Sequence, residues 1–194
     1  NFNDIAPIVA LIDIPIVTPM ILKPFDPWKN QLCTCPIKLS LNPYTGCPHG
    51  CLYCYASSYI PRFYSCRPKV DLLRRLDREA AKVVPGLFIA ISNSSDPYPP
   101  IEKELGLTRG CLRILKERNF RVQIVTKSDL VTRDIDLLVA MKAAVAVTVT
   151  TLDESLSRRL EPGAPSPKRR LFALNELSRA GIPLSARIDP IIPG

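Results

Sequence analysis

Histidine is scarce in this sequence: His49 is the only one among 194 residues. That scarcity excludes histidine-based catalytic triads and multi-histidine metal sites. An unbroken hydrophobic span is also missing. The apolar stretch from Ile5 to Leu22 is interrupted by Pro7, Asp13, Pro15 and Pro19 and has no basic leader. It therefore reads as neither a signal peptide nor a membrane helix. Nor is there an even set of cysteines. Seven occur, three of them crowded between positions 47 and 54. This pattern argues against a secreted disulfide framework and for metal-bound thiolates in a reducing cytosol, hence a cytoplasmic location. No internal repeat is present. The net charge is +8, which allows a nucleic-acid partner. The positive residues fall mainly on predicted helices, however: Arg74, Arg75, Arg78 and Lys82 on one, Lys168, Arg169 and Arg170 on another. No aromatic residues are interleaved with them as stacking platforms, so they read as solvated helix faces.

Twenty prolines lie mostly between periodic segments and mark rigid loops. Residues 1–36 show no period and are expected to form an extended N-terminal arm; 37–194 would form one domain. From Lys38 onward strands and helices alternate. Lys38 to Tyr44, Leu87 to Ile91, Val122 to Thr126, Val145 to Thr150 and Leu184 to Ile188 read as strands. Between them lie helices, one capped by Asp71, one beginning at Thr108, one capped by Thr132 and one beginning at Pro167. The expected inward positions include Leu72, Leu76, Cys111, Leu112, Leu115, Leu138, Val139, Leu171 and Leu177. The fold class is α/β, a parallel sheet with crossover helices. A closed eight-unit barrel takes about 250 residues, so about five to six parallel strands in this length predict an open or partial (β/α) barrel, or a doubly wound sheet. The chain stops directly after a strand, which predicts a truncated C-terminal end.

Ligands bind at the carboxyl ends of such strands. The chemistry-rich residues fall there: Cys47, Cys51 and Cys54; Ser92 to Asp96; Thr126 to Asp129; Thr148, Thr150 and Thr151; Arg187 and Asp189. Three residues separate the first two cysteines and two separate the last pair. Three thiolates on one short loop can hold an iron–sulfur cluster and leave one iron open for a ligand. The alternatives are a zinc site completed by Cys66 or His49, or buried structural cysteines. Cys33, Cys35 and Cys66 could hold a second metal or be ordinary thiols, and Cys111 is expected in the core.

At these residues the chain resembles the radical S-adenosylmethionine (SAM) enzymes. Their motif is three cysteines at this spacing with an aromatic residue, here Tyr53, just before the last. The fuller similarity is to the spore photoproduct lyase-like, or DNA-repair-photolyase-like, branch. It rests on Asn42 to Ala56, Ser95 to Glu102, Thr126-Lys127-Ser128, Arg133 to Leu138, Leu160 to Pro165 and Pro190 to Gly194. The resemblance implies a 4Fe–4S cluster on Cys47, Cys51 and Cys54 whose open iron is chelated by SAM. Reductive cleavage would give methionine and a 5′-deoxyadenosyl radical that abstracts hydrogen from substrate. Ser95 and Asp96 stand where the family contacts the methionine amino group. Lys127 would meet the methionine carboxylate, Thr150 the ribose hydroxyls, and Arg187 the carboxylate or the substrate. Tyr55 matches a tyrosine thought to relay hydrogen atoms. An electron donor such as a flavodoxin or ferredoxin is implied as partner. One departure limits the resemblance: the lyase carries a hydrogen-donating cysteine where this chain has Asn93. DNA repair is therefore not carried over, and the substrate, nucleic acid included, stays open. Rival readings are a zinc- or iron–sulfur-stabilised nucleic-acid-binding module and an iron–sulfur electron carrier.

Overall fold

The computed structural model describes residues 20–25, 36–91 and 93–191. Most of the expected N-terminal arm, Cys33 and Cys35, Ser92 and the last three residues lie outside that range. Eight strands are present among the described residues: β1 (Lys23–Pro24), β2 (Lys38–Leu41), β3 (Tyr44–Thr45), β4 (Arg67–Pro68), β5 (Phe88–Ile91), β6 (Arg121–Thr126), β7 (Ala143–Thr148) and β8 (Leu184–Arg187). The helices are α1 (Leu72–Ala80), α2 (Glu102–Leu105), α3 (Leu107–Glu117), α4 (Ile135–Val139), α5 (Glu154–Leu160) and α6 (Pro167–Arg179). Short 3-10 turns cover Tyr55–Ser58 and Asp129–Asp134.

One sheet carries the order β1-β2-β5-β6-β7-β8. The five strands expected from sequence all pair in parallel. The sixth, β1, is antiparallel to β2, with Lys23 opposite Ser40. It belongs to a segment expected to be arm, and it is held because Ile21 and Leu22 are buried while their amides donate to Glu79. Side chains alternate across each strand. Leu39, Leu41, Ile89, Ile91, Val122, Ile124, Val145 and Val147 pack with Leu72, Leu76, Leu112, Leu115, Ala173 and Leu177 of the helices. The opposite phase is small or polar: Ser40, Ala90, Gln123, Ala144 and Ala146. One face of the sheet is thus sealed by helices, and the other is left as the concave wall of a partial barrel.

Several local expectations give way. The strand from Lys38 stops at Leu41, because Asn42-Pro43 turns the chain out of the sheet; Tyr44–Thr45 then pairs with Arg67–Pro68 in a separate ribbon. Asp71 sits at the N-cap of α1 but in the left-handed region (φ 53°), and its carboxylate reaches Arg74 rather than a backbone amide. The helix expected at Thr108 starts at Leu107. Thr132 lies inside a 3-10 turn whose cap is Ser128. Val139 and Leu171 are exposed, not inward. Arg170, expected on a solvated face, is fully buried. Two short helices, α2 and α5, were not expected at all. No helix among the described residues is long and apolar enough to cross a membrane.

Candidate active site

The carboxyl ends of β5, β6 and β7 and the cysteine loop enclose one cleft of about 150 Å³. Cys47, Cys51 and Cys54 all line it, together with Tyr55, Asn93, Ser95, Asp96, Lys127 and Thr148. The loop begins at Gly46, whose φ of +79° and close approach leave no room for a side chain: a Cβ there would lie 2.4 Å from the Phe63 carbonyl oxygen. The same carbonyl accepts the Cys47 amide at 2.7 Å, and the Cys54 amide donates to the Cys51 carbonyl at 3.1 Å. A second segment clamps the loop from outside. The Leu52 amide donates to the Leu160 carbonyl at 2.9 Å, and the Gly163 amide to the His49 carbonyl at 2.8 Å. The Cβ of any other residue at 163 would stand 2.2 Å from the Pro48 carbonyl oxygen. Leu160 to Pro165 therefore sets the path between the first two cysteines.

On the facing rim, Asp96 is a staple. One carboxylate oxygen accepts the Tyr98 amide at 2.9 Å and the Thr126 hydroxyl at 2.7 Å; the other accepts the Lys127 amide at 2.8 Å. The end of β5 is thereby tied to the end of β6. Ser95 donates its hydroxyl to the Tyr44 carbonyl at 3.0 Å. His49 Nδ1 lies 3.7 Å from Asp96. Burial, the largest influence on it, and the nearby Lys127 and Arg170 charges hold His49 below the ordinary imidazole value, despite the opposing pull of Asp96. The contact is therefore polar rather than ionic at neutral pH. Asn93 lines the cleft with its amide fixed: it donates to Ser40 Oγ at 2.7 Å and to the Ala90 carbonyl at 3.1 Å.

Behind the loop lies a buried cluster that the sequence did not announce. Glu161 is inaccessible to solvent, and its carboxylate meets Arg170, Tyr53 and Thr150, the last at 2.7 Å. Lys127 Nζ stands 3.8 Å from the same carboxylate and 5.6 Å above the Tyr53 ring. Tyr53, Lys127 and Thr150, singled out separately in the sequence, are thus brought together by one acid. Tyr53 and Thr150 are outside the lining of the cleft. Arg187 is not brought in: it is half-exposed on the edge strand β8 and pairs with Asp189 at 2.7 Å. Tyr55 faces solvent at the mouth of the cleft, 73% exposed, with its ring 6.1 Å from that of Tyr59. Cys66 lies outside the cleft lining, and burial pushes its thiol up to about 11.

A second buried acid organises the entry to the loop. Glu102 accepts from the Tyr44 hydroxyl, from the Thr108 amide at 3.0 Å and from Arg133 at 2.6 Å. Arg133 also reaches Asp134, which is shared with Arg109. The separated motifs Asn42 to Ala56, Ser95 to Glu102 and Arg133 to Leu138 are therefore in mutual contact.

A family model for the radical SAM superfamily matches residues 41–194. The chain belongs to that superfamily. Curated relatives include an uncharacterized protein of Methanocaldococcus jannaschii, 35% identical over 182 residues and 88% of this chain, and one of Acidianus two-tailed virus, 32% identical over 79% of the chain. The radical SAM chain described here spans 65% and 56% of their lengths. Among solved structures, spore photoproduct lyase with bound AdoMet and dinucleoside spore photoproduct aligns with a TM-score of 0.61 at 20% identity, over 80% of this chain and 46% of the lyase. Native anSMEcpe with bound AdoMet and the Cp18Cys peptide aligns with a TM-score of 0.56 at 14% identity, over 78% of this chain and 42% of that one. These likenesses show a shared fold.

Membership in the radical SAM superfamily implies a 4Fe–4S cluster and SAM as cofactors. The residues fit such a cluster. The three cysteines are free thiols on one cleft. Burial, aided by Asp96, pushes the Cys47 thiol up to about 12, and burial raises Cys51 as well. A bare thiolate is disfavoured there, and bound metal would reverse that balance. Among the described residues no three His, Cys, Asp or Glu side chains are arranged to hold a single metal ion. A four-iron cluster has no need of such convergence, since each thiolate binds a different iron.

Proposed function

We propose that this chain uses Cys47, Cys51 and Cys54 to hold the 4Fe–4S cluster, binds SAM in the cleft beside it, and initiates radical chemistry on a substrate reached through the same opening. The observation that carries this reading is the joint lining of one cleft by the three cysteines and by Ser95, Asp96 and Lys127 from the strand ends. When bound, the cluster and SAM supply a 5′-deoxyadenosyl radical by reductive cleavage, and the protein's task is to bind, orient and exclude water.

Lys127 is the cation on the cleft wall, and it supplies the charge for a carboxylate ligand. Glu161, 3.8 Å from its ammonium, fixes where that charge stands at the edge of the cleft. Asp96 keeps the Lys127 backbone in place through the amide bond and leaves lone pairs for an ammonium group, with Ser95 beside it. Thr150 and Tyr53 support the wall through Glu161 rather than by contact with the cleft. Tyr55, at the mouth, is the side chain through which a hydrogen atom could be relayed outward.

Asn93 separates this site from spore photoproduct repair. Its amide has no thiol hydrogen to give, and it is locked to Ser40 and Ala90. The lyase's hydrogen-return step through a cysteine at this position is therefore not carried over to this chain.

Anaerobic reconstitution with iron and sulfide tests the assignment. Wild type and Cys66→Ala should take up about four irons and show broad visible absorption; Cys54→Ala should lose that absorption. Stoichiometric zinc without iron after anaerobic purification, or an undiminished cluster in Cys54→Ala, would overturn it.

A further inference from the structure

A second cavity, of about 210 Å³, adjoins the cysteine loop, and the radical SAM reading makes no use of it. It has one lining residue in common with the cleft, His49. Three separate segments bring polar groups to its wall: Lys103 from α2, Ser128 from the cap of the turn after β6, and Arg169 from the first turn of α6. No carboxylate is among the lining residues. Lys103 is exposed and makes no ion pair among the described residues. Arg169 pairs with Asp129, Nε donating at 3.0 Å and Nη2 lying 2.8 Å away, which leaves Nη1 unspent. Ser128 is buried; its oxygen accepts the Leu130 amide at 3.3 Å, and no described residue takes its proton. The His49 ring, 2% exposed, makes no hydrogen bond to a described residue either; its polar contact is with Asp96, 3.7 Å from Nδ1. Buried polar groups in folded proteins are almost always hydrogen-bonded. Unspent polar groups gathered around one cavity therefore mark a place for a polar ligand.

We propose that this cavity binds a phosphate-type oxyanion, as free phosphate or as the phosphoryl group of a monoester, through Lys103, Ser128 and Arg169. Charge decides the sign of the ligand. Asp129 offsets one of the two cations and lies outside the lining, so the wall is positive. The donors decide its shape. They stand on three segments, which suits a tetrahedral group that offers an oxygen to each; a planar carboxylate has only two. Leu130 and Pro165 add apolar wall for the organic part of a monoester. The bound group rests against the segments that position the cysteine loop. Gly163, whose amide donates to the His49 carbonyl at 2.8 Å, lines the cavity, and Ser128 directly follows Lys127. The site requires neither cluster nor SAM, so it stands or falls independently of the radical SAM reading.

Calorimetric titration of inorganic phosphate into the reconstituted protein, at fixed ionic strength, tests the site. Wild type should bind it saturably at a single site. Lys103→Gln should weaken the affinity roughly tenfold by removing a charge-assisted hydrogen bond. Lys168→Gln removes an equal charge from a residue next to Arg169 but outside the lining, and should leave the affinity unchanged. Lys103 and Lys168 are both exposed, so neither change disturbs the core. Bound phosphate should also slow amide exchange at Gly163 and Ala164, which line the cavity. Phenyl phosphate separates the two sources: tighter binding than phosphate assigns the cavity to a phosphomonoester, and equal or weaker binding assigns it to free phosphate. No saturable binding in wild type would overturn the proposal. So would acetate binding as tightly as phosphate, equal losses in Lys103→Gln and Lys168→Gln, or protection from exchange that leaves Gly163 and Ala164 unchanged.

Discussion

Glu161 shows how much one side chain can organise. Burial alone would raise its carboxyl, yet hydrogen bonds from Arg170, Tyr53 and Thr150 hold it below the ordinary value of 4.5. A carboxyl depressed on folding contributes stability that is complete above the unfolded value and lost as pH falls through the folded one. Its contribution is therefore complete at neutral pH and is lost progressively as pH falls below about 4.5 and through the folded value. Replacing Arg170 removes the closest counter-charge and leaves a buried carboxylate with Lys127 at 3.8 Å as its remaining cation. Breaking a buried pair from one side costs about 3–5 kcal/mol. Arg170→Met should lower the denaturant midpoint accordingly at pH 7, and the loss of stability between pH 5 and pH 3 should be shallower than in wild type. An Arg170→Met protein as stable as wild type at pH 7 would show that Glu161 is not held as described. Arg170 also marks a limit of sequence reading. It stands in a run with Lys168 and Arg169, both exposed, and only the helix phase separates it from them. Its partner lies nine residues back in a turn, and no local pattern announces such a pair.

At the scale of elements, the cysteine loop depends on the turn from Leu160 to Pro165 as much as on its own glycines. Gly163 is the tightest point, since a methyl group there would meet the Pro48 carbonyl. Gly163→Ala should push the turn away from the loop, at about 1–3 kcal/mol by the usual cost of overpacking. The expected outcome is a folded protein, by circular dichroism, that loses reconstituted iron faster than wild type in a chelator challenge. Equal iron loss would contradict the clamp. The strands were legible in the sequence because a sheet buried under helices needs continuous apolar runs, as in Phe88–Ile91 and Ala143–Thr148. The helices α2 and α5 were not. Glu102–Leu105 is a single turn after two prolines, and in α5 only Ser157 is buried, so neither carries an apolar stripe. Motif contacts were half legible. The spacing of the cysteines pointed to their loop, but the partners that hold it come from residues about a hundred positions away.

For the molecule as a whole, the parallel sheet gathers five strand ends onto one rim, and the sealed face leaves chemistry only at that rim and on the concave side. The two edges differ. On one side β1 covers β2. On the other, β8 is exposed along nearly its whole length, and Ile188 and Ile191 beyond it are also exposed. Hydrogen exchange should record that asymmetry: amides of β6 and β7 should exchange at rates near global unfolding and those of β8 at least about tenfold faster. Uniform protection would show that β8 is as deeply held as the centre. The central claim concerns the rim itself, that the cleft under Cys47, Cys51 and Cys54 binds SAM beside a cluster and cleaves it. Its most direct measurement is chromatographic assay of 5′-deoxyadenosine after anaerobic reduction of the reconstituted protein with dithionite in the presence of SAM. The expected result is 5′-deoxyadenosine in wild type and none in Cys54→Ala. A full, reducible cluster that yields no 5′-deoxyadenosine and no methionine would contradict it.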